Sequence, residues 1–124
     1  MTGKYAAPSF SEDHGGFVEL HCPQCNFEYL HHTTVTVFDR EEDQESGMRV
    51  VVGRGGRVAV NSDLKGNPSS RRHGIAIEMW CEGCGSQSVL HIAQHKGNMQ
   101  FRTVVTEVGS DDSIGLDELN ARPI

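Results

Sequence analysis

The chain contains no long apolar run. No stretch approaches the roughly 20 consecutive apolar residues of a membrane-spanning helix, so we expect no membrane-bound form. Residues 1–11 include Lys4 but no apolar segment long enough for the core of a secretory signal peptide. These two absences lead us to expect a cytoplasmic protein whose cysteines stay reduced.

Apolar and aromatic residues are scarce for a chain of 124 residues. Hydrophobic residues make up 36% and aromatic residues 6% of the sequence, which limits the core that one small domain can bury. Domains of this kind often gain stability from a bound metal ion. The composition therefore favours a single domain stabilised by a metal cross-link.

The chain has four cysteines, which form two pairs with the same spacing, Cys22-Pro-Gln-Cys25 and Cys81-Glu-Gly-Cys84. A Cys-x-x-Cys turn lets two thiolates converge on one metal ion while backbone N–H groups point at the sulfurs. Two such turns supply the four ligands that zinc prefers and leave no coordination position for water or substrate. The pattern predicts one structural zinc ion per chain, bound by all four cysteines.

Each pair is followed by a residue that tolerates a left-handed backbone, Asn26 or Gly85. With these turns the chain resembles the zinc-ribbon class, in which two Cys-x-x-Cys knuckles at the tips of β-hairpins share one zinc ion. The resemblance covers residues 17–30 and 75–93. It departs in the spacer, because 55 residues separate Cys25 from Cys81 where about 15–20 are usual. The interval must form structure of its own, and the resemblance implies no particular activity.

Other chemistry of the cysteines stays open. Disulfides would suit a secreted protein, and an iron–sulfur cluster also uses four thiolates. A thioredoxin-like redox pair would require a helix after its Cys-x-x-Cys, whereas the residues after both pairs have the pattern of strands. Spacing and turn residues lead us to favour zinc over these alternatives.

Apolar and polar residues alternate along most of the chain, as in half-buried strands, and glycine-rich turns separate the alternating segments. The pattern predicts a mostly β fold, a small antiparallel domain of about seven short strands over residues 15–108. The predicted strands are residues 17–22, 27–29 continued by 33–38, 48–52, 57–61, 75–80, 89–94 and 99–108.

The two ends have a different composition. Residues 1–14 are polar and mixed, so we expect them to lack fixed structure. Residues 109–124 form an acidic tail, within which residues 113–122 have the pattern of a short helix with Ile114, Leu116 and Leu119 toward one side. Such a helix is too short to be stable alone, so it would dock on the sheet or bind a partner.

Charge is unevenly distributed in this chain of net charge −6. Residues 49–73, the basic segment, have a net charge of +5, and residues 39–45, the acidic loop, have −4. The basic segment could bind phosphate groups through its arginines. Alternatively, the acidic loop neutralises it within the fold, and the negative net charge discourages approach to nucleic acid.

Three aromatic residues, Phe27, Tyr29 and Trp80, flank the cysteine pairs. Residues in these positions usually form the small core that shields the metal. A zinc ribbon that binds single-stranded nucleic acid would instead use them for base stacking. Trp80 is the best candidate for an exposed platform, because it lies opposite the apolar residues of 75–79.

Histidines permit a hypothesis of catalysis. Together with Glu78 or Glu82, they could form a second metal site or supply a general base. The sequence has none of the common patterns of serine hydrolases, zinc proteases or phosphate-binding loops. The histidines in suggestive positions are His21, His31, His32, His73, His91 and His95.

These observations lead to one interpretation and two alternatives. We expect a zinc-stabilised binding or adaptor module that acts, in a regulatory role, through contact with another protein. The alternatives are a nucleic-acid-binding zinc ribbon that uses the basic segment, and a small metal-dependent enzyme with a histidine site. A homodimer is also compatible with the sequence. The residues expected to contact a partner or phosphate are Arg54, Arg57, Lys65, Arg71, Arg72, His73 and Trp80.

Overall fold

The computed structural model describes residues 4–12 and 14–109. They form a mostly β structure, as the alternation predicted. In this part of the chain no helix is long and apolar enough to cross a membrane. The strands are β1 (Tyr5–Ala6), β2 (Phe10–Glu12), β3 (Val18–Leu20), β4 (Leu30–Asp39), β5 (Met48–Val52), β6 (Val58–Asn61), β7 (Gly74–Cys81), β8 (Gln87–His95) and β9 (Asn98–Glu107).

Seven of these strands form one antiparallel sheet in the order β1-β9-β8-β7-β4-β5-β6. The remaining two, β2 and β3, pair with each other in a small separate sheet. Strands β4, β5 and β6 follow one another in space, as do β7, β8 and β9, and the pairing of β4 with β7 joins the two groups. The long spacer between the cysteine pairs thus supplies three strands of the main sheet and most of a fourth.

Two tight turns lie where the sequence predicts them. The turn between β5 and β6 uses Gly55 and Gly56 at φ of 69° and 79°, and the turn between β8 and β9 uses Lys96 and Gly97 at 50° and 83°. Positive φ at successive residues gives a turn the twist that matches a β-hairpin. The residues that adopt positive φ in these two turns therefore identify the hairpins correctly from the sequence.

The expectation for residues 1–14 is corrected over the part that is described. Tyr5 and Ala6 form β1 and pair with β9, where the Thr103 hydroxyl donates to the Ala6 carbonyl at 3.2 Å. The Arg102 guanidinium lies 3.7 Å from the centre of the Tyr5 ring, a cation–π contact. Backbone pairing and this contact hold a segment whose composition alone suggested no structure. The predicted helix at residues 113–122 lies outside the described residues.

The expected strand at residues 27–29 is also corrected. The Phe27 carbonyl accepts a hydrogen bond from the Cys22 N–H at 2.8 Å, and the Tyr29 carbonyl accepts one from the Glu82 N–H at 3.0 Å. These bonds belong to the two cysteine turns, so β4 begins only at Leu30.

One face of the main sheet carries two apolar rows that cross six strands. Residues paired directly across antiparallel strands point to the same side, so the register defines the rows. The first row is Val60, Val50, Val37, Ile75, Ile92 and Phe101, and the second is Val58, Val52, Val35, Ile77 and Leu90, followed by Thr103. We call the eleven apolar side chains of these rows the apolar face.

A bulge in β4 places valines in these rows. Strand β4 has one extra residue relative to β7 between the pairs His32↔Met79 and Val35↔Ile77. Strict alternation from His32 would turn threonines toward the apolar side. The extra residue reverses the phase of the strand, so Val35 and Val37 join the rows instead.

The opposite face is partly covered by the loop between β6 and β7, residues 62–73. The Ser69 hydroxyl, which is buried, donates to the Gln94 carbonyl of β8 at 2.7 Å. Phe38 of β4 is only 3% exposed, and Pro68 packs against Gly74 at the start of β7. The loop thus gives one face of the sheet a small core, whereas none of the eleven residues of the apolar face is buried.

Gly74 is the position where this loop approaches the sheet most closely. A Cβ atom at Gly74 would meet the Asn67 side chain and would lie 2.8 Å from Cδ of the Pro68 ring. We expect Gly74→Ala to lower the free energy of unfolding by about 1–3 kcal/mol through overpacking, measured by urea denaturation of the metal-loaded protein. Gly53→Ala is the control, because the nearest atom would lie 3.8 Å away. Equal effects of the two changes would contradict this close packing.

Candidate metal centre

The two Cys-x-x-Cys turns have the same backbone geometry. In each, the residue after the second cysteine donates its N–H to the carbonyl of the first, Asn26 to Cys22 at 2.8 Å and Gly85 to Cys81 at 2.9 Å. That residue has positive φ in both turns, 67° and 74°. The prediction of two left-handed knuckle residues is therefore confirmed.

The knuckles differ in their place in the fold. The second knuckle is the tip of the β7–β8 hairpin, as the zinc-ribbon resemblance implies. The first knuckle connects β3, which pairs with β2, to β4, which pairs with β5 and β7. The expectation of two knuckle hairpins is thus correct for one of them, and the first knuckle bridges two sheets instead.

The four sulfur atoms converge at the end of β7. The Cys22 and Cys84 sulfurs are 3.8 Å apart and the Cys25 and Cys81 sulfurs 3.6 Å apart, and all four lie within 4.8 Å of one another. A tetrahedral site with metal–sulfur bonds of about 2.3 Å requires sulfur separations of about 3.8 Å. A disulfide would require about 2.05 Å. The four cysteines are therefore positioned to bind one metal ion, in a geometry compatible with zinc.

Backbone and hydroxyl groups surround the sulfur atoms. The Gln24 N–H points at the Cys22 sulfur at 3.4 Å, and the Gly83 N–H points at the Cys81 sulfur at 3.3 Å. The Ser86 hydroxyl lies 3.1 Å from the Cys84 sulfur and accepts a hydrogen bond from the Gly109 N–H at 2.9 Å. Such groups orient metal ligands and spread the negative charge of thiolates.

Without a cation, burial opposes ionisation of most of these thiols. Burial raises the pKa of Cys22 and Cys81. Cys25 is exposed, and partial desolvation together with the neighbouring Cys84 and Cys81 thiols raises its pKa to about 11. Burial also acts on Cys84, but hydrogen bonds with the hydroxyl and backbone of Ser86 outweigh it and lower the pKa. Four thiolates at this spacing therefore need a cation to offset their charge.

The metal centre is shielded mainly by its own ligands. Cys81 is fully buried, Cys22 and Cys84 are nearly so, and Leu30 packs against them. Cys25 lies at the surface. Phe27 packs against Gly83 of the other knuckle, edge-on to Tyr29 at 5.3 Å.

Trp80 is buried rather than an exposed platform. It is 5% exposed, and the His31 ring stacks on it with centroids 4.6 Å apart and planes 16° from parallel. The His31 ring is in turn held by Glu82, whose carboxylate lies 2.8 Å from Nε2. Trp80 points to the side opposite the apolar face, where its neighbours in register are His31 of β4 and Gln87 of β8. These neighbours cover the ring, and the sequence alternation did not reveal them.

Much of the basic segment contacts the acidic loop. The Arg71 guanidinium binds both carboxylate oxygens of Asp43, at 3.0 and 2.8 Å. Arg72 lies 3.9 Å from the Glu42 carboxylate, and His73 lies 3.3 Å from the Asp39 carboxylate. The Nδ1 of His73 accepts a hydrogen bond from the Arg40 N–H at 3.1 Å. The pairing expected from charge complementarity is therefore present at two of the residues proposed to contact phosphate, Arg71 and Arg72. Arg54, Arg57 and Lys65 lie elsewhere, on the β5–β6 turn and the following loop.

The histidines are distributed over separate parts of the structure. His21 lies by the first knuckle, where its ring nitrogens are 2.9 Å from the Ser11 hydroxyl and 3.1 Å from the Asn26 side chain. His91 lies on β8 and accepts a hydrogen bond from Arg102 at 2.9 Å. Burial and the Arg102 charge lower the pKa of His91. Each of these side chains thus has a local structural partner.

Comparison of the chain with models of protein families, with curated proteins and with solved structures found no match. The metal centre and the sheet faces are therefore interpreted from their own geometry.

Two features of the site were not predicted from the sequence. Ser86 was missed because a serine two residues after a cysteine is common in turns and has no distinctive pattern. Gly109 was assigned to the tail, yet a Cβ there would clash with the carbonyl of Cys84 and with Gly85. The glycine is therefore the residue that lets the end of β9 pass over the second knuckle.

Cys81→Ser tests the metal centre directly. We expect this variant to lose the bound metal and its cooperative unfolding transition, because ligand binding contributes on the order of 10 kcal/mol to folding in such domains. Metal content and circular dichroism during thermal denaturation would measure this. Ser88→Ala in the same hairpin is the control, since Ser88 is buried but its hydroxyl has no hydrogen-bond partner within the described residues. A folded, metal-free Cys81→Ser protein would exclude a structural metal.

The Asp43–Arg71 pair gives a second expectation. The hydrogen bonds and charge of Arg71 lower the pKa of Asp43 below its usual value of about 3.9. A carboxyl group whose pKa is lower in the folded than in the unfolded protein stabilises the fold at pH values above its unfolded pKa. This stabilisation is lost as the pH falls through the folded pKa. An NMR titration should show Asp43 titrating low, and Arg71→Ala should raise its midpoint. Arg57→Ala, which removes a charge elsewhere, should leave the midpoint in place.

Proposed function

We propose that the protein is a zinc-stabilised binding module that acts through contact with another protein. The proposal has two parts, the identity of the metal and the surface that makes the contact. Each part depends on a different observation and can fail separately.

Zinc fits the geometry of the metal centre better than an iron–sulfur cluster does. Soft thiolate ligands select zinc, copper(I) or iron–sulfur clusters. The sulfur separations of 3.6 and 3.8 Å suit a single tetrahedral ion, whereas a cluster places several iron and sulfide atoms between its thiolates and needs wider spacing. A site with four protein ligands has no open position for substrate, which supports a structural role. Reduced thiols of this kind suit the cytoplasm.

Metal analysis of natively purified protein would test this part. We expect one zinc per chain and four thiols that react with a thiol reagent only after the metal is removed or the protein is unfolded. Bound iron, more than one metal ion per chain, or thiols that react in the native protein would contradict a closed zinc site.

The apolar face is the observation that carries the binding role. Val58, Val60 and Phe101 are 62%, 59% and 52% exposed, and the central residues of the two rows are half-buried only by their neighbours in the sheet. Six strands spaced about 4.8 Å apart, with two residues from each, make a patch of roughly 400 Å². The largest apolar patch on a typical monomeric protein is about this size and is often functional.

The polar surroundings of the patch support the same role. Asp39 and Gln94 border one end of the rows, whereas Thr103 and Ser88 at the other borders are buried. An apolar centre with a polar rim is the usual composition of a protein interface. The contact region we propose is therefore the apolar face, in place of the basic segment, where Arg71 and Arg72 already have acidic neighbours.

Photo-crosslinking in the cells that produce the protein would test this part. A benzophenone amino acid at Phe101, on the apolar face, should form crosslinks to protein that mass spectrometry can identify. The same group at Gln100 is the matched control, because that residue is also exposed but lies on the opposite side of the same strand. Crosslinks no more frequent from Phe101 than from Gln100 would contradict a contact through this face.

A further inference from the structure

We propose that the apolar face binds a second copy of this chain, so that two sheets pack face to face around a two-fold axis. The inference rests on the proposed function, because it names the protein that this face contacts. Three properties of the face support an identical partner.

The first property is the absence of charge within the rows. The eleven residues of the apolar face are all valine, isoleucine, leucine or phenylalanine. Each chain has a net charge of −6, so two copies repel each other unless they meet where charge is absent. In a two-fold contact the same patch comes from both subunits, and a patch without charge places no like charges together.

The second property is the size of the face. A stable interface buries about 800 Å² on each partner, with an apolar centre and a polar rim. The roughly 400 Å² of the two rows supplies the centre, and side chains around it supply the rim. One rim residue, Met99, is 57% exposed and stands beside Phe101 on the same side. The sheet is therefore large enough to form one subunit's side of an ordinary dimer interface.

The third property is the shape of the face. Rows of β-branched side chains on a twisted sheet pack against a similar sheet at a distance of about 10 Å, as in β-sandwiches. Between β7, β8 and β9 the surface has a depression of about 240 Å³, lined in part by Ile75, Ile92 and Met99. Such a depression can accept a large side chain from the facing sheet.

The metal centre leaves room for this contact. Cys81 points to the same side as the rows, since it lies four residues beyond Ile77 on β7. Four residues of a strand span about 13 Å. The metal centre therefore borders the apolar face at one end and leaves both rows uncovered.

The chain's own last residues are a less suitable occupant. Residues 110–124 contain Ile114, Leu116, Leu119 and Ile124 as their large apolar residues. Four such side chains cannot cover eleven that extend over six strands. The segment also includes Asp111, Asp112, Asp117 and Glu118, whose charges would have to stay outside an apolar contact.

Sedimentation velocity of the full-length, zinc-loaded chain would test the inference. We expect a species of twice the 13.6-kDa chain mass that dissociates on dilution. The double variant Val60→Glu with Phe101→Glu, which changes both ends of the first row, should weaken dimerisation by about 100-fold or more, because each subunit would bury two unpaired charges. Both residues are exposed in the single chain, so zinc content and circular dichroism should be unchanged.

The matched control is Ala59→Glu with Gln100→Glu. These residues are the neighbours of the first pair on the same two strands, are also exposed, and point to the opposite side. We expect this control to remain dimeric. If both double variants dissociate alike, the contact does not depend on which side of the sheet is changed, and the face-to-face dimer is wrong. A dimer that survives the change at Val60 and Phe101 is an equally negative result.

The experiments distinguish a failure of the proposed dimer from a failure of the proposed binding role. A monomeric wild-type chain that still crosslinks from Phe101 to a different protein would refute the second copy and keep the binding role. A monomer without such crosslinks would refute both. If a chain truncated after Gly109 dimerises while the full chain is monomeric, residues 110–124 cover the face and the dimer of the intact protein is excluded.

Discussion

The convergence of four cysteines positioned to bind one metal ion joins two distant parts of the chain at the end of the β4–β7 pairing. The two knuckles are 55 residues apart, and the first of them links the small β2–β3 sheet to the main one. Much of the deepest burial in the described structure is at these cysteines. A lean sheet of this kind buries little apolar surface, so the free energy of metal binding at these cysteines would take the place of a larger core.

The part of the fold that follows local rules could be predicted from the sequence. Strand β5 was predicted with its exact bounds, because alternation and flanking turns define a hairpin strand within a few residues. The positive φ at Asn26 and Gly85 was also predictable, since few residue types adopt it. All four ligands follow from spacing alone, because a Cys-x-x-Cys pair has few uses that suit two copies.

What could not be predicted depends on contacts between distant segments. Strand β1 exists because β9 offers a free edge and because Arg102 lies over Tyr5, and neither is visible in residues 1–14 themselves. Trp80 was misjudged because its burial depends on His31, which is 49 positions earlier in the chain. The apolar rows required the register of six strands, and the bulge in β4 reverses the alternation that a sequence reading assumes.

The metal centre and the apolar face depend on each other through register. A slip of one residue between β4 and β7 would turn every side chain of one strand to the other side of the sheet, and the rows would lose Val35 and Val37 together. Cys81 ends β7 directly opposite Leu30, the first residue of β4. A metal ion shared by Cys81 and the two cysteines before β4 would therefore hold this end of the two central strands in register. With the bulge in β4 in place, the same register sets which side chains form the apolar face.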